Sequence, residues 1–371
     1  MSSMSFLELP EIINDSRQII HVDMDAFYAS VEEREHPQYR QKALVIAPDP
    51  RQHNGHGVIT TANYRARQYG VGSAMPAIKA VELIPFSELL FTSPNFTLYR
   101  QVSNQIHQIF TQVTDTWEPV ALDEAYLDVT ANKLHLNDPI QIALIIQRTI
   151  KRHLHLTCSV GISYNKFLAK MASDYAKPFG RTVVTSAQAR NFLAPLPISK
   201  FHGIGHATQE KLNRLGLQIG RDLQQTSFDF LTRKFGKTGF MIYQRARGID
   251  NEPVKAQRQS KSIGREQTFN RPVFNDQQAQ KIFQKMAQQV AKNLQQKHLI
   301  GQTVVIKVRT VEFVTYTRRR TLAQATSDAD VIFQTSQELF ALLNLQTQPL
   351  RLIGVTMTNL REQSFEEIEL F

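Results

Sequence analysis

One cysteine, Cys158, stands in a chain of 371 residues, which excludes an intrachain disulfide framework and fits a reducing compartment. Long apolar runs are missing too: no stretch of eighteen consecutive apolar residues occurs, so no membrane-spanning helix is expected. The N-terminus carries no basic segment followed by an apolar core, the pattern of a secretory signal, and the expectation is a cytoplasmic protein without a membrane partner. With 42% hydrophobic and 20% charged residues the composition is that of a globular protein, and the length suggests two or three domains, each with its own core. Acidic residues are scarce only in the C-terminal half. Lys and Arg stand against Asp and Glu as 16 to 18 in residues 1–180, 27 to 11 in 181–361 and 0 to 4 in the last ten. A basic half beside a near-neutral half that keeps its acids suits a polyanion-binding platform next to a cation site.

Two stretches hold acids where local rules do not call for them. Residues 119–130 read Pro-Val-Ala-Leu-Asp-Glu-Ala-Tyr-Leu-Asp-Val-Thr, with apolar runs at 120–122 and 126–129 that predict the two arms of a hairpin. A tight turn would want Gly or Asn, yet the bend carries Asp123 and Glu124, whose mutual repulsion makes sense with a cation between them. Residues 19–27 read as an apolar strand ending in Asp23 and Asp25. Hard divalent ions take oxygen ligands, so Asp23, Asp123 and Glu124 together could hold a metal pair of the kind that drives phosphoryl or nucleotidyl transfer.

The remaining pattern is α+β. A helix is expected over 26–35, a strand over 42–47, a loop with two histidines over 48–57, and a strand running into a helix from 58, with Tyr64 and Arg67 three apart on one helical face. An arginine there, always charged and able to bind phosphate oxygens bidentately, would suit a triphosphate. Helices over 98–114 and 140–154 alternate with the acidic hairpin and a strand over 157–162, which predicts a sheet layer with helices on one face, and a further helix is expected over 165–176. Lys166, Lys170, Asp174 and Lys177 lie along or just past the last of these helices. Pro195 and Pro197 open a new segment in which Gly203 and Gly205 precede a helix, as in a phosphate-binding helix-hairpin-helix turn. After a polar linker at 251–259 the order strand, helix, strand occurs twice, a duplicated β-α-β unit. In its second strand Val304, Ile306 and Val308 alternate with Lys307 and Arg309, which places the basic residues away from the helices, and Arg318, Arg319 and Arg320 are expected to extend that DNA-binding surface.

Four motifs carry a resemblance. His21-Val-Asp-Met-Asp-Ala-Phe-Tyr-Ala-Ser-Val-Glu, Thr61-Ala-Asn-Tyr-Arg-Ala-Arg, Leu122-Asp-Glu-Ala-Tyr-Leu-Asp and Gly161-Ile-Ser-Tyr-Asn-Lys-Phe-Leu-Ala-Lys occur in the order found in the Y-family translesion DNA polymerases, which the chain resembles over nearly its whole length. The resemblance implies a right-hand fold: palm at 1–26 and 93–184, fingers at 27–92, thumb with helix-hairpin-helix at 185–250, linker at 251–259, and a βαββαβ little finger at 260–361. It implies Asp23, Asp123 and Glu124 as catalytic metal carboxylates with the carbonyl of Met24 as an added ligand. Tyr28 would be the steric gate against a ribose 2′-hydroxyl, and Thr61, Tyr64, Arg67 and Lys177 would hold the incoming triphosphate, whereas Asp25 has no metal role. Ala121 departs from the Ser usual before the hairpin acids, and Ala74 would leave room at the nascent base pair. The implied activity is template-directed addition of deoxynucleotides to a primer by a monomer using two Mg2+ ions, or Mn2+ in their place. The tail at 362–371 is similar to a sliding-clamp-binding peptide with Leu370 and Phe371 as anchors, Glu367 standing where Gln is usual. A two-metal nuclease would need the acids but not the triphosphate set, and a non-catalytic DNA-binding repair protein would need the basic half alone.

Overall fold

A computed structural model describes residues 13–256, 260–274, 276–345 and 348–363, and the chain divides into two compact units, 1–258 and 259–371. In the first unit, β1 (Ile19–Met24) runs into α1 (Phe27–Glu35). A small three-stranded sheet follows, made of β2 (Ala43–Ile46), β3 (Thr61–Ala62) and β4 (Leu89–Thr92) in the order β3-β2-β4, with α2 (Tyr64–Gln68) and α3 (Ala77–Leu83) packed around its own core of Val45, Ile59, Ala66 and Ala80. The chain then returns through α4 (Phe96–Val113), β5 (Trp117–Pro119), β6 (Glu124–Asp128), α5 (Pro139–Leu154), β7 (Cys158–Ser163), α6 (Lys166–Tyr175) and β8 (Arg181–Val184). Asparagines start three of the helices: Asn63, Asn95 and Asn165 each accept a hydrogen bond from the backbone N–H three residues on.

These strands make a sheet in the order β5-β6-β1-β7-β8, so β1 is central and every one of its residues is buried. Ile20, Val22 and Met24 pack with α4 and α5 in the main core, together with Cys158, Val160 and Ile162 of β7. The other face is covered by α6: Ile19 meets Ala169, and His21 Nδ1 lies 2.8 Å from Ser173 Oγ. The reason is side-chain size. Opposite Ile19, His21 and Asp23, β7 presents Ser163, Gly161 and Ser159, and the α6 backbone comes so close that a Cβ on Gly161 would collide with Ala169 and Ser173. The acidic hairpin also differs in detail: residues 120–122 are not strand, and a four-residue connection over 120–123 joins β5 to β6, with Glu124 already the first strand residue.

Beyond β8, helices α7 (Ser186–Leu193), α8 (His206–Arg214), α9 (Gly220–Gln225), α10 (Phe228–Phe235) and α11 (Lys237–Ala246) enclose a core of Leu193, Leu212, Leu223, Leu231 and Ile242 that also takes Phe167 and Leu168 from α6.

The second unit matches the duplicated pattern: β9 (Ser262–Val273), α12 (Asp276–Gln296), β10 (Leu299–Thr310), then β11 (Thr315–Thr326), α13 (Ala329–Ala341), β12 (Leu350–Glu362). The strands pair antiparallel in the order β11-β10-β12-β9, and Val304, Ile306 and Val308 are fully buried in a core with α12 and α13. Register corrects the expected basic surface. Directly paired residues of an antiparallel ladder share a face, and Arg318 pairs with Ile306, Arg320 with Val304. Both arginines therefore start from the helix side, where Arg320 forms an ion pair with Glu338 of α13. Arg319, paired with Val305, shares the open face with Lys307 and Arg309.

Candidate active site

Strand pairing brings the first two acids together. Asp23, near the end of β1, is the register partner of Glu124, the first residue of β6, and the backbone N–H of Met24 donates to the Asp123 carbonyl at 2.9 Å. The chain then turns sharply into α1 through Ala26, whose φ of 45° is left-handed, a strained conformation for a residue with a Cβ. That turn presents Phe27 and Tyr28 beside the acids.

Asp23, Met24, Tyr28, Thr61, Tyr64, Arg67, Asp123, Glu124 and Lys177 all line one cavity of about 260 Å³. The small sheet supplies its cationic wall as a unit. Arg67 Nε donates to the Ala62 carbonyl at 2.9 Å, its Nη2 lies 3.5 Å from Thr61 Oγ1, and the guanidinium sits 5.0 Å from the centre of the Tyr64 ring. Asp25 is buried and is not among the cavity's wall residues: it accepts from Ser159 Oγ at 2.7 Å and from the Phe179 N–H at 2.9 Å, tying the end of β1 to β7 and to the segment that carries Lys177. Ser73 lines the cavity, whereas Ala74 is not among its wall residues.

Electrostatics mark the acids as an incomplete set. Burial, then the neighbouring Asp23 and Glu124, push the Asp123 carboxyl up to about 6. Against the cost of its own burial, Glu124 is held well below the usual carboxylate range by His21 and by Lys170. Lys170 Nζ lies 2.6 Å from both Asp23 and Glu124, and Lys177 Nζ lies 2.8 Å from Asp23 and 2.7 Å from Asp174. Burial opposes the charge on each lysine, and the surrounding acids raise its pKa nonetheless. Among the described residues, His21, Asp23 and Glu124 can each place a ligand atom within 4.8 Å of the others. His21 is fully buried, its Nδ1 engaged with Ser173, and the carboxylates that line the cavity are those of Asp23, Asp123 and Glu124. Such an all-oxygen set, with burial and the neighbouring acids both opposing the charge on Asp123, fits a hard divalent cation.

Lys170 is the residue that sequence reasoning passed over: it was placed on the helix, four residues from Lys166 and Asp174, without a role. Its spacing to Asp174 was the available signal, but its contact with two distant strands was not.

The expected nucleic-acid contacts are less convergent. On the open face of the second unit Lys307 pairs with Glu266 at 2.9 Å, and Arg309 Nε donates to Thr315 Oγ1 at 2.8 Å. Gly203 has a φ of +90°, and the space its missing Cβ would need is held by the Arg245 guanidinium, while Gly205, which precedes α8, has open space at its Cβ position. Leu370 and Phe371 lie outside the described residues.

Comparison with known proteins agrees with this geometry. Residues 22–174 match the impB/mucB/samB family, residues 260–370 that family's C-terminal domain, and residues 200–250 the thumb domain of DNA polymerase-iota. DNA polymerase IV of Streptococcus mutans is 48% identical over 97% of this chain and 97% of its own length, and that of Streptococcus thermophilus 45% identical over 98% and 99%. A solved Y-family DNA polymerase chimera superposes with a TM-score of 0.83 at 28% identity, covering 92% of this chain and 98% of its own. Sheet, acids, cationic wall and relatives converge, and the chain belongs to the Y-family DNA polymerases.

Proposed function

We propose that the cavity between the β1–β6 acids and the Arg67 wall is where this template-directed translesion DNA polymerase joins a deoxynucleotide to a primer. One observation carries the reading: Asp23, Asp123 and Glu124 line the same cavity as Thr61, Tyr64, Arg67 and Lys177. Asp23, Asp123, Glu124 and the Met24 carbonyl are the groups that would hold two Mg2+ ions, with Mn2+ as a substitute. When bound, such a pair lowers the barrier to attack by the primer 3′-hydroxyl and stabilises the leaving oxygen. Arg67, with Nε anchored on Ala62 and Nη2 near Thr61 Oγ1, supplies a positioned positive charge for phosphate oxygens, and Lys177 adds a second for the departing pyrophosphate. Tyr28 stands at the cavity wall as the steric gate.

In this reading the five-stranded sheet is the palm (1–26 and 93–184), the small sheet the fingers (27–92), the α7–α11 segment the thumb (185–250), and the second unit the little finger (260–361) that grips primer-template DNA through Lys307, Arg309 and Arg319. The protein acts as a cytoplasmic monomer, and its last five residues dock on a sliding clamp. Deleting those five residues without loss of clamp-stimulated extension would remove the clamp from this picture.

Primer extension with the four deoxynucleoside triphosphates and Mg2+, wild type against Asp123→Ala, tests the central reading. Templated extension by the wild type that disappears in the variant is the expected result. Degradation of the primer would make the site a nuclease, and binding without turnover would make the protein a DNA-binding module.

A further inference from the structure

We propose that Tyr99 is a positioning residue for sugar discrimination, its ring backing the Tyr28 ring and fixing the angle at which Tyr28 meets a ribose 2′-hydroxyl. This rests on the reading of Tyr28 as the steric gate. The Tyr28 and Tyr99 rings are stacked, centroids 4.5 Å apart and planes 20° from parallel, and Phe96 stands edge-on to both at 5.8 and 5.9 Å. Stacked and edge-on pairs are the favoured geometries of aromatic rings, so the three rings hold one another in register.

What locks the stack is polar. Tyr99 is 0% exposed, and its hydroxyl donates at 2.6 Å to the Glu32 carboxylate, itself only 4% exposed. Glu32 lies one helical turn beyond Tyr28 on α1. The hydrogen bond therefore clips α4 to the helix that bears the gate. Sliding the Tyr99 ring away from Tyr28 would break the short hydrogen bond of a buried carboxylate, leaving it, among the described residues, only the His36 imidazole 3.9 Å away, a costly outcome. Excluding one oxygen atom requires that the Tyr28 ring not tilt, and a ring with open space behind it would tilt. Nothing in the Tyr28 side chain itself provides that stiffness, since the residue is only half-buried.

The test is single-nucleotide extension on one primer-template, comparing kcat/KM for a deoxynucleotide with that for the matching ribonucleotide. Tyr99→Leu should lower this selectivity roughly 3- to 10-fold, the fold-change equivalent to losing one stacked aromatic pair, while Tyr99→Phe, which keeps the ring but loses the hydrogen bond to Glu32, should lower it by a smaller factor. Because both Tyr99 variants remove the hydrogen bond to Glu32 and could fail to fold, Phe96→Leu is a further variant. Phe96 is 40% exposed, and losing its edge contact should lower selectivity in the same direction. Proportional loss of both substrates with an unchanged ratio, in Phe96→Leu and in whichever Tyr99 variant folds, would reduce the two rings to packing and overturn the proposal. Tyr28→Ala separates the other failure: an unchanged ratio there would overturn the gate reading itself, and this proposal with it.

Discussion

Asp23 and Glu124 are register partners across the β1–β6 ladder, and the ammonium of Lys170 lies 2.6 Å from a carboxylate oxygen of each. Two acids placed side by side by sheet geometry are thus kept together by a third residue from α6 on the face above. The lysine occupies the position of a counterion between groups that would otherwise repel one another.

Removing that charge has a consequence separable from catalysis. Lys170→Met should lower the melting temperature in EDTA by about 5 °C, because a mostly buried pair loses its cationic partner. Added Mg2+ or Mn2+ should then raise the melting temperature of the variant more than that of the wild type. Differential scanning fluorimetry with and without metal checks this, and equal metal-dependent increments in the two proteins would contradict it.

The close approach of α6 to the sheet sets a second expectation. A methyl group on Gly161 would meet the backbone of Ala169 and Ser173, neither of which can yield like a side chain. Gly161→Ala should therefore cost about 3 kcal/mol or more of stability, read from the urea midpoint, and primer extension should fall with it because α6 carries Lys170.

Arg67 offers a test of shape against charge. Its Nε is spent on the Ala62 carbonyl, which aims the rest of the guanidinium, and a lysine has no second nitrogen to be aimed in that way. Arg67→Lys should raise KM for the incoming deoxynucleotide by about tenfold while changing kcat less. A KM equal to wild type would remove Arg67 from triphosphate binding.

Strand register separates neighbouring arginines. Arg319→Ala should weaken primer-template binding and reduce the slope of log affinity against log salt by about one, as for loss of one phosphate contact. Arg320→Ala should leave that slope unchanged, and since its pair with Glu338 is exposed, cost under about 1 kcal/mol of stability. Equal slopes for the two variants would refute the assignment of faces.

Much of this molecule was legible before folding because it depends on local chemistry. The strand ending at Met24, the helices behind Asn95 and Asn165 and the duplicated unit after residue 260 follow from period, caps and breakers, which neighbouring residues settle among themselves. The acids at 23, 123 and 124 stood out for the same reason: each sat where local preference disfavoured it. What sequence could not assign was the partner across space. That α6 covers the second face of the sheet depended on three small residues of β7 aligning with β1, and Lys170 reached two acids only once β6 was paired. The triplet at 318–320 looked uniform as a string, yet pleating sends successive side chains to opposite faces, so only pairing with β10 decided which arginine faces outward. Residue type and spacing are properties of the chain, whereas proximity between distant segments is created by packing, and here that proximity places Asp23, Asp123, Glu124, Arg67, Lys177 and Tyr28 around one cavity.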